Sequence, residues 1–292
     1  LLDQTESVMR VLRQPDRLHI HISTPRKPTW VNADGVEVPL RAGDLFESDD
    51  GTLNFYCWVP WPFGGDKCSD RYGVRLGRYQ FLPVVDVRSR FVTSFHVVVR
   101  GKSSYRGNDV VALFGDTFRT VGQPQVLRLE RGAWESQIVR DALQLARVPV
   151  VNAWHAKQKN AVESGFNRLW TPMSLIKGHV GRDRGEYERM TALAMQCQEG
   201  AKDPREHFLS IELALPEVIA AVEYTNTEPV NSRDWGTWVP QETFEAQTGE
   251  RALPLLDPVW RSAQRRSMPG LQLRPMRQPP LTHAMTLQSS AA

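Results

Sequence analysis

The chain has few cysteines, no long apolar run and no acidic residue near its end. Its three cysteines, Cys57, Cys68 and Cys197, lack the CxxC and HxxxH spacings of zinc sites and form no even disulfide framework. This cysteine usage favours a reducing cytoplasm over secretion. No apolar stretch approaches the roughly 20 residues that cross a bilayer, so we expect a cytoplasmic protein without a membrane partner. The start, LLDQTESVMR, is unlike a signal peptide and lacks an initiator Met, which suggests a piece of a longer protein.

Charge is unevenly distributed along the chain, although the net charge is only +3. Residues 258–292 contain no Asp or Glu but carry five arginines, and a second basic zone extends from Lys157 to Arg189. Basic stretches of this kind suit a phosphate backbone. For the end of the chain alone, a solvated and disordered segment is the simpler interpretation.

The order of apolar patterns predicts a mixed α/β sheet flanked by helices, with a helical C-terminal extension. With 292 residues, of which 41% are hydrophobic, the chain can bury one large core. Three strands precede a helix at 108–121, for which Asn108 is a plausible N-cap. Then follow strand 126–129, a helix with Ile138, Ala142 and Leu145 on one face, strand 148–153, and helices that include 187–198 and 215–225.

Four carboxylates lie where these elements begin or end. Asp49 and Asp50 stand at the acidic start of a strand, Glu130 ends the buried strand VLRL, and Glu163 lies on a later helix. Converging carboxylates bind divalent metal ions. Asp49 and Asp50 would point to opposite faces of a regular strand, so only one of them could join such a site.

Five segments in this order resemble the DDE transposases and retroviral-type integrases, and most closely the bacteriophage Mu-type and related bacterial transposases. LFESDDGTLNF resembles the first catalytic strand and VVDVRSRFVTSF the second strand. GQPQVLRLERGAWES resembles the segment with the second carboxylate, and KNAVESGFNRL the helix with the last one. VEYTNTEPV and WVPQETF resemble the segment that closes the core. The resemblance covers about residues 43–245.

The resemblance implies a ribonuclease H-like catalytic core that cleaves DNA and transfers a 3′-hydroxyl to target DNA. It implies that two Mg²⁺ or Mn²⁺ ions are held by Asp49 or Asp50, Glu130 and Glu163, and the Asp-Gly pair at 50–51 favours Asp50 as the first ligand. It places Asp86 in a structural turn with Ser89 and Arg90. The implied partners are transposon ends and target DNA, on which the protein would act as a homo-multimer.

Glu130 departs from the family, in which the second carboxylate is Asp. Either this chain uses an Asp–Glu–Glu set, or its site is weakened. A weakened site would leave a DNA-binding or assembly domain, and a third alternative is a nuclease without strand transfer. Lys157, Lys159 and Arg168 are candidate phosphate contacts. We expect a linker or the end of a preceding domain at 1–42, the catalytic core at 43–248 and a basic, disordered segment at 249–292.

Overall fold

The computed structural model of the chain describes residues 29–31, 36–61, 72–99, 105–130, 132–153, 160–181, 184–232, 236–249 and 253–254. These residues form the strands β1 (Thr29–Val31), β2 (Glu37–Pro39), β3 (Leu45–Ser48), β4 (Gly51–Thr52), β5 (Cys57–Pro60), β6 (Val74–Gly77), β7 (Gln80–Asp86), β8 (Val92–Val98), β9 (Val126–Leu129), β10 (Val150–Asn152), β11 (Leu209–Ser210), β12 (Val230–Ser232) and β13 (Gly236–Trp238). The helices are α1 (Gly107–Thr120), α2 (Gln137–Leu145), α3 (Asn160–Met173), α4 (Arg184–Gln198), α5 (Pro204–His207), α6 (Ile211–Thr227) and α7 (Pro240–Gly249), with a 3₁₀ turn at Gly132–Glu135.

A six-stranded mixed sheet forms the centre of the fold. Its strands follow the order β10-β9-β3-β7-β4, and β8 also pairs with β7. Strands β3, β9 and β10 are parallel to one another, whereas β7 is antiparallel to both β3 and β8. Smaller sheets are formed by β1 with β2, by β11 with β5 and β6, and by β12 with β13.

Helices cover both faces of the central sheet because β7 is apolar on both sides. Phe81 and Val85 join a core cluster with residues of α3 and α6, while Leu82 and Val84 join a second cluster with residues of α1 and α2. Burial of each large apolar side chain contributes about 1.5–3 kcal/mol, so these two cores hold the layers together. The predicted mixed α/β sheet flanked by helices, with further helices after it, is confirmed.

Asn226 joins helix α6 to strand β8 through two side-chain hydrogen bonds. Its Oδ1 accepts from the Val92 N–H at 2.8 Å, and its Nδ2 donates to the Val92 carbonyl at 3.0 Å. The side chain is only 4% exposed. It therefore replaces a neighbouring strand at this point of β8 and satisfies two buried backbone groups.

Two local predictions differ from the structure. The N-cap of helix α1 is Arg106 and not Asn108, and the Asp109 Oδ2 accepts from the Arg106 N–H at 2.7 Å. Helix α2 buries Val139, Ala142 and Leu143. Ile138 is 41% exposed and Leu145 is 72% exposed. The predicted face (Ile138, Ala142 and Leu145) and the buried face (Val139, Ala142 and Leu143) both have helical spacing. Packing against α1 determines which face is buried.

No helix in the described part of the chain is long and apolar enough to cross a membrane. Beyond helix α7, the Leu253 side chain packs against the core cluster that contains α1 and α2. The Pro254 carbonyl accepts from the Gln123 N–H at 2.8 Å. Most of the basic end of the chain, and the start at 1–28, lie outside the described residues.

Candidate metal centre

Three of the predicted carboxylates come together in the fold. Asp49, Asp50 and Glu130 each offer an oxygen atom, and these atoms all lie within 4.8 Å of one another. All three residues are half-buried. A group of this kind carries strong mutual repulsion unless a cation or hydrogen bonds compensate it.

The parallel pairing of β3 and β9 explains why Asp49 and Glu130 meet. Glu47 of β3 lies directly opposite Arg128 of β9. Continuing each chain by two residues, just past the strand ends, leads to Asp49 on one side and Glu130 on the other. The carboxylates are thus at the carboxyl ends of two adjacent parallel strands.

Asp50 reaches the same point because the strand is interrupted. Strand β3 ends at Ser48 and β4 begins at Gly51, so both aspartates lie in the break. The Asp50 N–H donates to the Asp49 Oδ1 at 2.9 Å. The expectation that only one aspartate can join the site applied to a regular strand, and Asp49 and Asp50 lie between two strands instead.

Tyr105 holds one of the three carboxylates and was not among the predicted site residues. Its hydroxyl donates to the Asp50 Oδ1 at 2.8 Å, and its ring packs against Trp134 with 5.5 Å between centroids. Burial raises the pKa of Tyr105, and the hydrogen bond to Asp50 raises it further, so the phenol stays a donor. Trp134 is buried beside the site. No local pattern marks Tyr105, because its contact with Asp50 spans 55 positions.

Replacing Tyr105 by Phe should weaken divalent-metal binding by about 10-fold, since partners that orient a ligand typically contribute 10–100-fold to metal affinity. The ring packing against Trp134 is retained, so the fold should be unaffected. Calorimetric titration with Mn²⁺ measures the change. Tyr187→Phe, on an exposed face of α4, is the matched control. Equal affinities of Tyr105→Phe and wild type would show that the Tyr105 hydroxyl does not orient a ligand.

Glu163 lies in the first turn of α3 and is half-buried, but it is not in the group of three carboxylates. Helix α3 approaches the strand break closely. A Cβ atom added at Gly51 would lie only 2.8 Å from Cε1 of Phe166, one turn after Glu163. The helix that carries Glu163 therefore packs beside the break, and the role of Glu163 as a metal ligand stays a prediction.

Asp86 is structural, as expected. One of its oxygens accepts from the Gly43 N–H at 2.8 Å, and the other accepts from the N–H and hydroxyl of Ser89. Burial raises the pKa of Asp86 to about 6, against the effect of these hydrogen bonds. Arg90 in the same turn has a positive φ of 66°. The interpretation of this segment as a turn built around Asp86 is confirmed.

The candidate phosphate contacts are only partly described. Arg168 uses its Nη2 to donate to the carbonyls of Thr225 and Glu228, both at 2.8 Å. These bonds tie α3 to the end of α6. Lys157 and Lys159 lie outside the described residues, so their contact with DNA stays a prediction.

The carboxylate group fits a hard divalent cation. Carboxylate oxygens are the ligands that Mg²⁺ prefers, and at Mg–O distances of about 2.1 Å two ligands on opposite sides of the ion are about 4.2 Å apart. Oxygens within 4.8 Å of one another need small side-chain rotations to reach that spacing. Asp49, Asp50 and Glu130 can therefore hold Mg²⁺ or Mn²⁺.

No family model matches the chain, and no curated protein matches it by sequence. Among solved structures, the chain is similar to the simian T-cell lymphotropic virus intasome in complex with PP2A regulatory subunit B56 gamma, with a TM-score of 0.42, 12% identity, and coverage of 84% of this chain and 69% of that one. It is similar to the HTLV-2 integrase catalytic core domain in complex with magnesium, with a TM-score of 0.38, 11% identity, and coverage of 70% of this chain and 98% of that one. It is also similar to the catalytic core domain of BIV integrase, with a TM-score of 0.39, 11% identity, and coverage of 71% of this chain and 98% of that one.

Proposed function

We propose that the chain is the catalytic core of a Mg²⁺-dependent DNA transposase of the DDE type. It would cleave DNA at transposon ends and join the 3′-hydroxyl to target DNA. The observation that carries the proposal is the meeting of Asp49, Asp50 and Glu130 within 4.8 Å at the ends of neighbouring strands. A homo-multimer on DNA and the three-part division at residues 42 and 248 belong to the same proposal.

Each residue has a distinct task in this proposal. Asp49, Asp50 and Glu130 hold the metal ions, and Glu163 completes the site from α3. Two Mg²⁺ ions held by these carboxylates would supply activation of the attacking water or 3′-hydroxyl and stabilisation of the leaving oxygen. Tyr105 orients Asp50 by donating to its Oδ1. Lys157, Lys159 and Arg168 contribute sequence-independent attraction to DNA phosphates.

Glu130 is compatible with this role because the observed group is formed with a glutamate. Its side chain is one methylene longer than aspartate, and its carboxylate nevertheless lies beside those of Asp49 and Asp50. The strand β9 ends at Leu129, so the longer side chain reaches the site from a position just beyond the sheet. This favours an adapted Asp–Glu–Glu set over a weakened site.

Nicking of supercoiled plasmid and joining of a 3′-hydroxyl oligonucleotide to target DNA, both in Mn²⁺, test the proposal. Glu163→Gln should lower both activities at least about 100-fold, since a direct ligand contributes more than the outer partners that account for 10–100-fold. Glu223→Gln, an exposed glutamate of α6, is the matched control and should retain both activities.

The products separate the alternatives. Joined strands that require a 3′-hydroxyl donor indicate transposase chemistry, whereas nicks without joined strands indicate a nuclease. A chain that binds DNA but neither binds Mn²⁺ nor nicks is a DNA-binding or assembly domain. Wild-type activity in Glu163→Gln would remove this residue from the site.

A further inference from the structure

A buried ion pair lies directly behind the carboxylate group. Glu47 is 0% exposed and Arg128 is 2% exposed. The Arg128 Nη1 donates to the Glu47 Oε1 at 2.8 Å. The two residues face each other across the pairing of β3 and β9, two positions before Asp49 and Glu130. The same two strands thus carry an internal ion pair and, beyond it, the metal ligands.

The second oxygen of Glu47 binds the beginning of helix α3. Its Oε2 accepts from the N–H groups of Ala161 and Val162, both at 3.1 Å. The first N–H groups of a helix have no partner within the helix, and a carboxylate there also interacts favourably with the helix dipole. Glu47 therefore joins the two strands to the helix that carries Glu163.

Arg90 adds a second contact from the turn between β7 and β8. Its Nη1 donates to the Ser164 Oγ at 3.2 Å, within the first two turns of α3. Burial lowers the pKa of Arg90, while the charge of Glu47 counteracts this effect. Glu47 of β3 and Arg90 of the β7–β8 turn therefore both contact the start of α3, and Arg128 of β9 pairs with Glu47.

We propose that Glu47 is a positioning residue for the metal centre. It fixes the first turn of α3, and with it Glu163, relative to the strand ends that carry Asp49 and Glu130. This inference rests on the proposed function and deepens it. Burying a charged pair is costly, and replacing such a pair by apolar residues of similar volume is often neutral or stabilising. Stability alone therefore does not explain why a charged pair is buried here. The hydrogen bonds of Glu47 to the Ala161 and Val162 amides do explain it.

The test compares two double variants that differ only at position 47. Both carry Arg128→Met, and position 47 is either Glu47→Leu, which loses the acceptor for the helix, or Glu47→Gln, which keeps a carbonyl oxygen. Both remove the charges at 47 and 128 together, and Asp86 remains as an acidic neighbour of Arg90, so both should unfold within about 10 °C of wild type. Glu188→Gln, in the exposed ion pair of α4 with Arg184, is the control.

The readouts are amide hydrogen exchange at Ala161 and Val162 and calorimetric Mn²⁺ binding, neither of which requires catalysis. In the Leu version both amides should exchange at least about 10-fold faster and Mn²⁺ affinity should fall by about 10-fold. The Gln version should keep slow exchange and Mn²⁺ affinity within about 3-fold of wild type. If the Leu version does not fold, the Gln version carries the test: an affinity loss of about 10-fold with slow exchange overturns the proposal.

The outcomes also separate this proposal from the function on which it rests. Wild-type exchange and wild-type Mn²⁺ affinity in a folded Leu version overturn the positioning role and leave the metal centre intact. A wild-type chain that binds no Mn²⁺ overturns the metal centre itself. If Mn²⁺ binding depends on Glu47 but the chain shows no strand transfer, the positioning role is supported and the transposase activity is ruled out.

Discussion

Glu130→Gln should abolish Mn²⁺-dependent DNA cleavage, and Glu130→Asp should weaken Mn²⁺ binding by about 10–100-fold. Glu130 supplies one of three carboxylates within 4.8 Å, and a neutral amide there removes one anionic ligand. Aspartate keeps the charge but is one C–C bond shorter, so it withdraws the oxygen by roughly 1.5 Å, more than the ±0.2 Å tolerance of metal–ligand distances.

Cleavage of supercoiled plasmid and calorimetric titration with Mn²⁺ measure these two effects. Glu217→Gln, on the exposed side of α6, controls for the loss of a negative charge. The Asp variant decides between the two interpretations of position 130. If the site is adapted to glutamate, the shorter aspartate side chain lowers activity. If glutamate weakens the site, aspartate raises activity. An increase in cleavage by Glu130→Asp would contradict a site adapted to glutamate.

Asn226→Asp should lower the free energy of unfolding by about 3 kcal/mol at pH 7. The amide of Asn226 both accepts from and donates to the backbone of Val92. An aspartate cannot donate when ionised, so it would place a buried negative charge against the Val92 carbonyl. The substitution preserves shape, and the loss therefore reports the polar contacts and not a cavity.

Urea unfolding without metal, followed by tryptophan fluorescence, gives the free energy for this comparison. Gln196→Glu makes the same amide-to-carboxylate change on an exposed face of α4 and should change it by less than about 0.5 kcal/mol. If Asn226→Asp were as stable as that control, the bonds between α6 and β8 would not contribute to stability.

Elements with strong periodicity could be predicted from the sequence. The strand expected at 126–129 is β9, and the helix expected at 108–121 is α1 within one residue. In both cases the local pattern and the tertiary packing favour the same structure. Strands β7 and β8, which have apolar residues at consecutive positions, pack against both core clusters.

The details of the site depended on contacts distant in sequence. The break between β3 and β4 places Asp49 and Asp50 on the same side, which alternation along a strand does not predict. Tyr105 meets Asp50 across 55 positions, and Glu47 meets Ala161 across 114. The motif comparison drew attention to the carboxylates but not to the groups that hold them. Those groups are recognised only when the sheet register is known.

Gly51 determines how near helix α3 can come to the strand break. Its missing side chain leaves room for the Phe166 and Trp170 rings, which would lie 2.8 Å and 3.4 Å from a Cβ atom at that position. The glycine thus leaves the smallest possible separation between the break that carries Asp49 and Asp50 and helix α3. Any larger residue would widen the gap and move Glu163 outward without touching a single carboxylate. Gly51 therefore sets how close Glu163 of helix α3 lies to the break that carries Asp49 and Asp50.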